Sequence, residues 1–186
     1  GVGIGPMGVR AMVVAERQRI GTGCSNHPGL HPADAVHRVA DGRPVQRDGA
    51  GTMFGQLNAG KRSIVLDLKQ SEAMAAVKKL VSSVDIVVEN YRPGVMKRLG
   101  LDYPELQKVN PRLIYCAISG YGQTGPGAGR PAYAPVIHAA TGYDMAHNFY
   151  QQGRERPDNC GIFVADYASG AYAMGAILAA LHQRHT

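Results

Sequence analysis

Residues 71–94 read Ser71-Glu-Ala-Met-Ala-Ala-Val-Lys-Lys-Leu80-Val-Ser-Ser-Val-Asp85-Ile-Val-Val-Glu-Asn90-Tyr-Arg-Pro-Gly94. The first half places Met74, Val77, Leu80 and Val81 on one stripe at helical spacing, so a helix over 72–81 with Ser71 as its cap is expected. The second half, DIVVE at 85–89, is a short, mostly β-branched run that reads as a buried strand. Polar turn residues close it at 90–94. A helix feeding a buried strand across three residues is the unit from which α/β domains are built.

The same alternation continues in both directions. Upstream, SIVLDL at 63–68 reads as a strand. Downstream, a short helix carries Met96 and Leu99. Asp102 with Glu105 three residues on has the form of a capping box opening a helix through Val109, with Asp in place of the usual Ser or Thr. LIYCAIS at 113–119 is a further strand, followed by a glycine-rich loop over 120–129. A helix around 135–147, a polar stretch to Asn159 and a long Ala- and Gly-rich helix over 167–184 complete the chain. On that last helix Gly170, Ala171, Ala173 and Gly175 form a small-residue surface that another backbone could approach. At the other end, Pro6 suits the first turn of a helix over 7–18. Residues 21–51 read as an irregular excursion with a short helix at 33–39. The expected architecture is one α/β domain over 1–186, an open, mostly parallel, Rossmann-like sheet flanked by helices.

Composition narrows the function classes. The chain has 186 residues, 45% of them hydrophobic and 18% charged, which fits a globular domain with a sizeable core. A net charge of +6 favours polyanionic partners in general, including nucleic acid, acidic lipid and phosphorylated cofactors. However, the basic residues are dispersed and aromatics are only 6%, so a nucleic-acid surface is not expected. Cys24, Cys116 and Cys160 are widely spaced and odd in number, which suits a reducing compartment and offers no zinc spacing. No metal is expected. Arg10, Glu16, Arg17 and Arg19 interrupt the apolar N-terminal stretch, so no signal peptide is expected. No run of about 18 uninterrupted apolar residues suggests a membrane span, and a cytoplasmic protein is expected.

Three glycine motifs are misleading. Gly55-Gln-Leu-Asn-Ala-Gly60-Lys61-Arg62 approaches a nucleotide phosphate loop, yet Arg62 stands where a magnesium-binding Ser or Thr is needed. Gly120-Tyr-Gly122-Gln-Thr-Gly125 has the dinucleotide spacing, but Pro126 and Gly127 oppose the helix that would hold a pyrophosphate. Gly3-Ile-Gly5-Pro6-Met-Gly8 matches too, without a strand ahead of it. Neither dinucleotide match is followed by a strand-end carboxylate at the right distance, so NAD is not expected.

Four segments taken together resemble the class III (CaiB/BaiF-type) coenzyme A transferases, the superfamily of formyl-CoA transferase and alpha-methylacyl-CoA racemase. They are residues 57–68 (LNAGKRSIVLDL), 88–94 (VENYRPG), 110–126 (NPRLIYCAISGYGQTGP) and 164–170 (VADYASG). The resemblance spans roughly residues 43–184. It implies the large domain of a longer polypeptide, without that family's small domain, and an interlocked homodimer or a partner chain that supplies it.

The resemblance also implies transfer of coenzyme A between an acyl-CoA and a carboxylic acid. Asp166 occupies the nucleophile position and would form an aspartyl-CoA thioester. Splitting an exchange between two poor nucleophiles in this way makes each step easier. By residue type and position alone, Asp166 reads first as a helix cap, and it is the surrounding motif that favours the nucleophile. Leu66, Lys69, Asn90, Tyr91, Arg98 and Leu99 match positions that contact the nucleotide end of coenzyme A. Basic side chains there suit phosphates, while Leu and Tyr suit the adenine face. As residues, Lys69 and Arg98 are equally solvated surface charges, and Asn90 equally a turn former. Tyr133 and His138 match the acyl pocket, and a buried structural His is an equal reading for His138. Where the family carries an acid, this chain has Ala134, and Tyr133 replaces the racemase His. Both changes weigh against the alternative of a 2-methylacyl-CoA racemase, which needs an acid–base pair. A non-catalytic, CoA-binding half-protein is the remaining alternative.

Overall fold

The computed structural model describes residues 11–14, 46–47, 50–51, 61, 64, 66–151, 153–157 and 162–185. In chain order these contain β1 (Ala11–Val14), β2 (Gln46–Arg47), β3 (Ala50–Gly51), α1 (Ser71–Val81), β4 (Ile86–Glu89), α2 (Val95–Arg98), α3 (Tyr103–Val109), β5 (Ile114–Ala117), α4 (Ala134–Thr141), α5 (Tyr143–Phe149) and α6 (Val164–His185). Strands β1, β4 and β5 form a parallel sheet in that order, and β2 pairs with β3 antiparallel. Val14, Glu89 and Ala117 lie level, so the three strands end along one edge. Parallel neighbours require a crossover, and α2 with α3 provides the one between β4 and β5.

Burial follows the periodicity. On α1, Ala73, Val77 and Val81 are buried, and β4 buries Ile86, Val87 and Glu89. Val77, Val81, Val84, Val87, Met96, Leu101, Leu106 and Leu113 make one cluster between α1, α3 and the sheet. Leu101, Leu106, Val81 and Val87 are fully enclosed, each contributing about 1.5–3 kcal/mol of burial free energy.

Several local expectations change. Within residues 7–18, expected as a helix, Ala11–Val14 is a strand paired along β4. A four-residue apolar run cannot distinguish the two by periodicity, and the ladder decides. Ile64 and residues 66–68 are not in a strand. The Asp67 carboxylate accepts the Lys69 N–H (3.1 Å) and its carbonyl accepts the Gln70 N–H (2.9 Å), which folds this segment into a turn instead of a ladder. The expected helix at 33–39, the phosphate-loop-like residues 55–60 and the glycines at 3–8 lie outside the described residues.

Gln70, not Ser71, is the N-cap of α1, and the Ser71 hydroxyl donates to Glu72. Asp102 stands at the N-cap position of α3, but its side chain makes no capping hydrogen bond, and Glu105 pairs with Lys108 at 2.6 Å, so the expected capping box does not form. The single helix expected near 135–147 is two helices, α4 and α5. Gly142, at φ 74°, ends one and opens the other, a left-handed conformation in which glycine carries no Cβ penalty. The glycine-rich loop after β5 is a series of turns, and no helix begins until Ala134.

Candidate active site

The level ends of the parallel strands organise one part of the site. In open α/β sheets, ligands bind beyond the carboxyl ends of the strands. Glu89 ends β4, is 4% exposed, and accepts the backbone N–H of Tyr91 at 2.8 Å and the Tyr115 hydroxyl at 3.5 Å. Burial pushes its carboxyl above the usual 4.5, against the lowering effect of the Tyr91 and Tyr115 hydrogen bonds. The Tyr115 hydroxyl is pushed up in turn, first by burial and then by the charges of Glu89 and Asp102. Cys116 is free and half-buried, and burial followed by the Glu89 charge pushes its thiol up as well. A thiol so placed is a structural side chain rather than a nucleophile. Glu89 therefore shapes the turn at Asn90 and Tyr91. It was in plain view in the sequence as an acid closing an apolar strand, but had no assigned role.

Around that turn the expected nucleotide-end residues fall into two groups. Leu66, Tyr91 and Leu99 are half-buried and pack against the core cluster, so they border the same apolar surface. Lys69, Asn90 and Arg98 are exposed, Arg98 on α2 beside Gly94, whose φ of 85° lets the chain turn into that helix. Asn90, Tyr91, Arg98 and Leu99 follow the end of β4 in the chain, and Leu66 and Lys69 precede α1.

A second group is carried by α4 and α6. Arg184, in the last turns of α6, donates to Asp85 Oδ1 at 2.9 Å and to the Arg112 carbonyl at 3.0 Å. Asp85 and Arg112 immediately precede β4 and the run into β5, so α6 ends where the strands begin. It packs on β5 and α4, and its 22 residues span about 33 Å.

Asp166 lies in that first turn and is exposed. The helix starts three residues earlier than expected, so Asp166 is inside it rather than its cap. The Phe163 carbonyl accepts the N–H groups of Asp166 and Tyr167, both at 3.1 Å. Negative charge is favoured at this end of a helix.

Tyr133 opens α4 and is 52% exposed, whereas His138 on the same helix is only 2% exposed. Its Nε2 accepts the backbone N–H of Ala165 at 3.2 Å, which ties α4 to the first turn of α6. The helix that carries Asp166 is thus tied to the helix that Tyr133 opens through the His138–Ala165 bond.

Much of α6 lies bare, including Tyr167, Tyr172, Met174 and Leu178, and a side chain added at Gly170 or Gly175 would meet nothing. The stretch Val164–Arg184 is long and apolar enough, by length and composition alone, to cross a membrane. Its Arg184 end is tied by an ion pair to the residue that leads into β4.

A family model described as CoA-transferase family III matches residues 33–186. The chain is 44% identical over 131 residues to an acetyl-CoA:oxalate CoA-transferase of Acetobacter aceti, covering 70% of this chain and 33% of that one. It is 35% identical over 159 residues to the beta subunit of a succinyl-CoA–L-malate CoA-transferase of Chloroflexus aurantiacus, covering 84% and 38%. Among solved structures, a CaiB/BaiF family protein from Brucella suis aligns with a TM-score of 0.67 at 36% identity, over 76% of this chain and 37% of the other. The chain thus spans about a third of the length of the curated relatives it matches.

Proposed function

The chain belongs to CoA-transferase family III, and on that premise we propose that it is the nucleophile-bearing part of an acyl-CoA:carboxylate CoA-transferase, with Asp166 as nucleophile. The feature that supports this reading is the exposed carboxylate of Asp166 in the first turn of α6.

The Asp166 carboxylate attacks the thioester carbonyl, giving a mixed anhydride and the free thiolate of coenzyme A. The thiolate attacks the aspartyl carbonyl, releasing the donor acid and leaving an aspartyl-CoA thioester. The acceptor carboxylate then attacks this thioester, expelling the thiolate, and the thiolate takes the new acyl group and returns Asp166 to its free carboxylate. Each step exchanges one acyl bond for another, and no redox agent is consumed.

Leu66, Tyr91 and Leu99 offer apolar faces to the adenine end of the substrate, and Lys69 and Arg98 offer charge to its phosphates, with Asn90 between them. Tyr133, exposed at the start of α4, lines the acyl side. The bare face of α6 is covered by a second copy or by a partner chain, an arrangement that the paired subunits of the Chloroflexus relative make natural. The free thiol of Cys116 fits a reducing, cytoplasmic setting.

The test is incubation with acyl-CoA thioesters, trapping with hydroxylamine or borohydride, and location of the adduct by peptide mass spectrometry. An adduct on Asp166, absent from Asp166→Asn, is expected. An adduct elsewhere, or exchange of the substrate α-proton into deuterated water without any adduct, would refute the reading in favour of another nucleophile or a racemase.

A further inference from the structure

Ala165, the residue before Asp166, hands its backbone N–H to a side chain 27 positions earlier, on another helix. We propose that His138 is a positioning residue for Asp166. Its Nε2 holds the first turn of α6 through the Ala165 amide and so sets where the Asp166 carboxylate stands. This rests on the reading of Asp166 as nucleophile.

The first four N–H groups of a helix have no partner within it, and a neighbouring side chain or water usually serves them. Here the partner comes from α4 and is itself locked. His138 is 2% exposed, and its ring lies against Tyr143 with centroids 4.8 Å apart. Tyr143 stacks in turn on His147 at 6.3 Å and 15°. The ring cannot swing away without breaking this column. Phe163 holds the Asp166 and Tyr167 amides at 3.1 Å, so the backbone entering Asp166 is fixed by His138 on one side and by the helix on the other.

The chemistry of the contact is one-directional. A backbone N–H only donates, so Nε2 must present its lone pair and the ring proton resides on Nδ1. Nδ1 faces Asp144 Oδ1 at 3.9 Å, and both atoms are buried with no hydrogen-bond partner. Closing that gap by about 1 Å would complete an Asp144–His138–Ala165 chain and fix the tautomer that the amide requires. Nothing in this arrangement asks His138 to touch substrate. A nucleophile displaced by about 1 Å loses on the order of a hundredfold in rate, so an anchor of this kind acts on kcat rather than on binding.

The experiment uses the complete protein in its active assembly, with His138→Gln and His138→Met. Both side chains are unbranched and similar in length, but only Gln presents an acceptor oxygen. For each we would measure kcat and KM for CoA exchange and the exchange rate of the Ala165 amide with solvent deuterium. The Met variant should release the amide about tenfold or more and lower kcat about ten- to a hundredfold, with KM for acyl-CoA within about threefold. The Gln variant should restore both readings towards the parent.

A Met variant with unchanged kcat and amide protection, alongside an inactive Asp166→Asn, overturns the role of His138 and leaves Asp166 standing. A Gln variant as impaired as Met overturns it too, since an acceptor then does not suffice. If the Met variant does not fold, the Gln variant decides alone, and a tenfold or greater loss of kcat in it counts against the proposal. Full activity of Asp166→Asn overturns the nucleophile and with it what His138 positions, while the amide protection still reports the hydrogen bond by itself.

Discussion

Asn110 joins three segments that would otherwise meet only through apolar contact, and removing its side chain should cost more than its half-exposed position suggests. Its Nδ2 donates to the Val81 carbonyl at 3.1 Å and to the Val84 carbonyl at 2.7 Å, and its Oδ1 accepts the Arg112 N–H at 3.1 Å. The end of α1, the entry to β4 and the entry to β5 are thereby held by one amide across 26 and 29 residues of chain. Each such hydrogen bond contributes about 1 kcal/mol net, and partial exposure lets water replace part of that, so Asn110→Ala should lose about 2 kcal/mol. Asn110→Asp should lose more, about 3 kcal/mol at neutral pH, because a carboxylate oxygen then faces two carbonyl oxygens at donor distance. Lowering the pH until that carboxyl protonates should recover part of the difference, since it can then donate one bond. Urea unfolding reads both variants as shifts of the midpoint at constant slope. If Asn110→Ala stays within about 0.5 kcal/mol of the parent, or Asn110→Asp is no worse than Asn110→Ala at pH 7, the staple is not what holds these segments.

Two further outcomes follow from the strand ends. The Glu89 carboxyl is raised in the folded chain, so the fold binds its proton more tightly than the unfolded chain does. Its contribution is therefore present below about pH 4.5 and lost as pH rises through the raised value. Glu89→Gln, which keeps the shape without the titration, should gain on the parent across that interval and then hold a constant difference. Urea midpoints between pH 4 and 8 check this, and a pH-independent difference would contradict it. Gly120, where the glycine-rich loop leaves β5, has no room for a side chain, because a Cβ there would collide with that of Ala132. Gly120→Ala should cost about 1–3 kcal/mol, and adding Ala132→Gly should return most of it, a coupling that a double-mutant cycle measures directly.

The α/β character, the amphipathic stripe of α1 and the strands β4 and β5 were legible in the residues themselves. Periodicity identifies elements that are long or strongly patterned, and the four quoted segments carry the family resemblance. Shorter elements were not legible, because local preference there is weak and partners decide. The Asp67 carboxylate accepts the Lys69 amide, so the described end of the expected strand, residues 66–68, runs into a turn. Ala11–Val14 became a strand because β4 offered it a ladder. The break at Gly142 was signalled by the glycine but hidden within a continuous apolar pattern.

What the sequence alone determined is therefore the set of elements able to bury an apolar face, and the residue types available to perform chemistry. Only the tertiary structure decided which of those residues meet. The buried acid Glu89 bracing the Tyr91 turn and His138 receiving the Ala165 amide both pair groups that local spacing does not connect. The His138 pairing in particular spans 27 residues and two helices, and it forms because a helix end leaves amides without partners and a packed neighbour supplies the nearest acceptor.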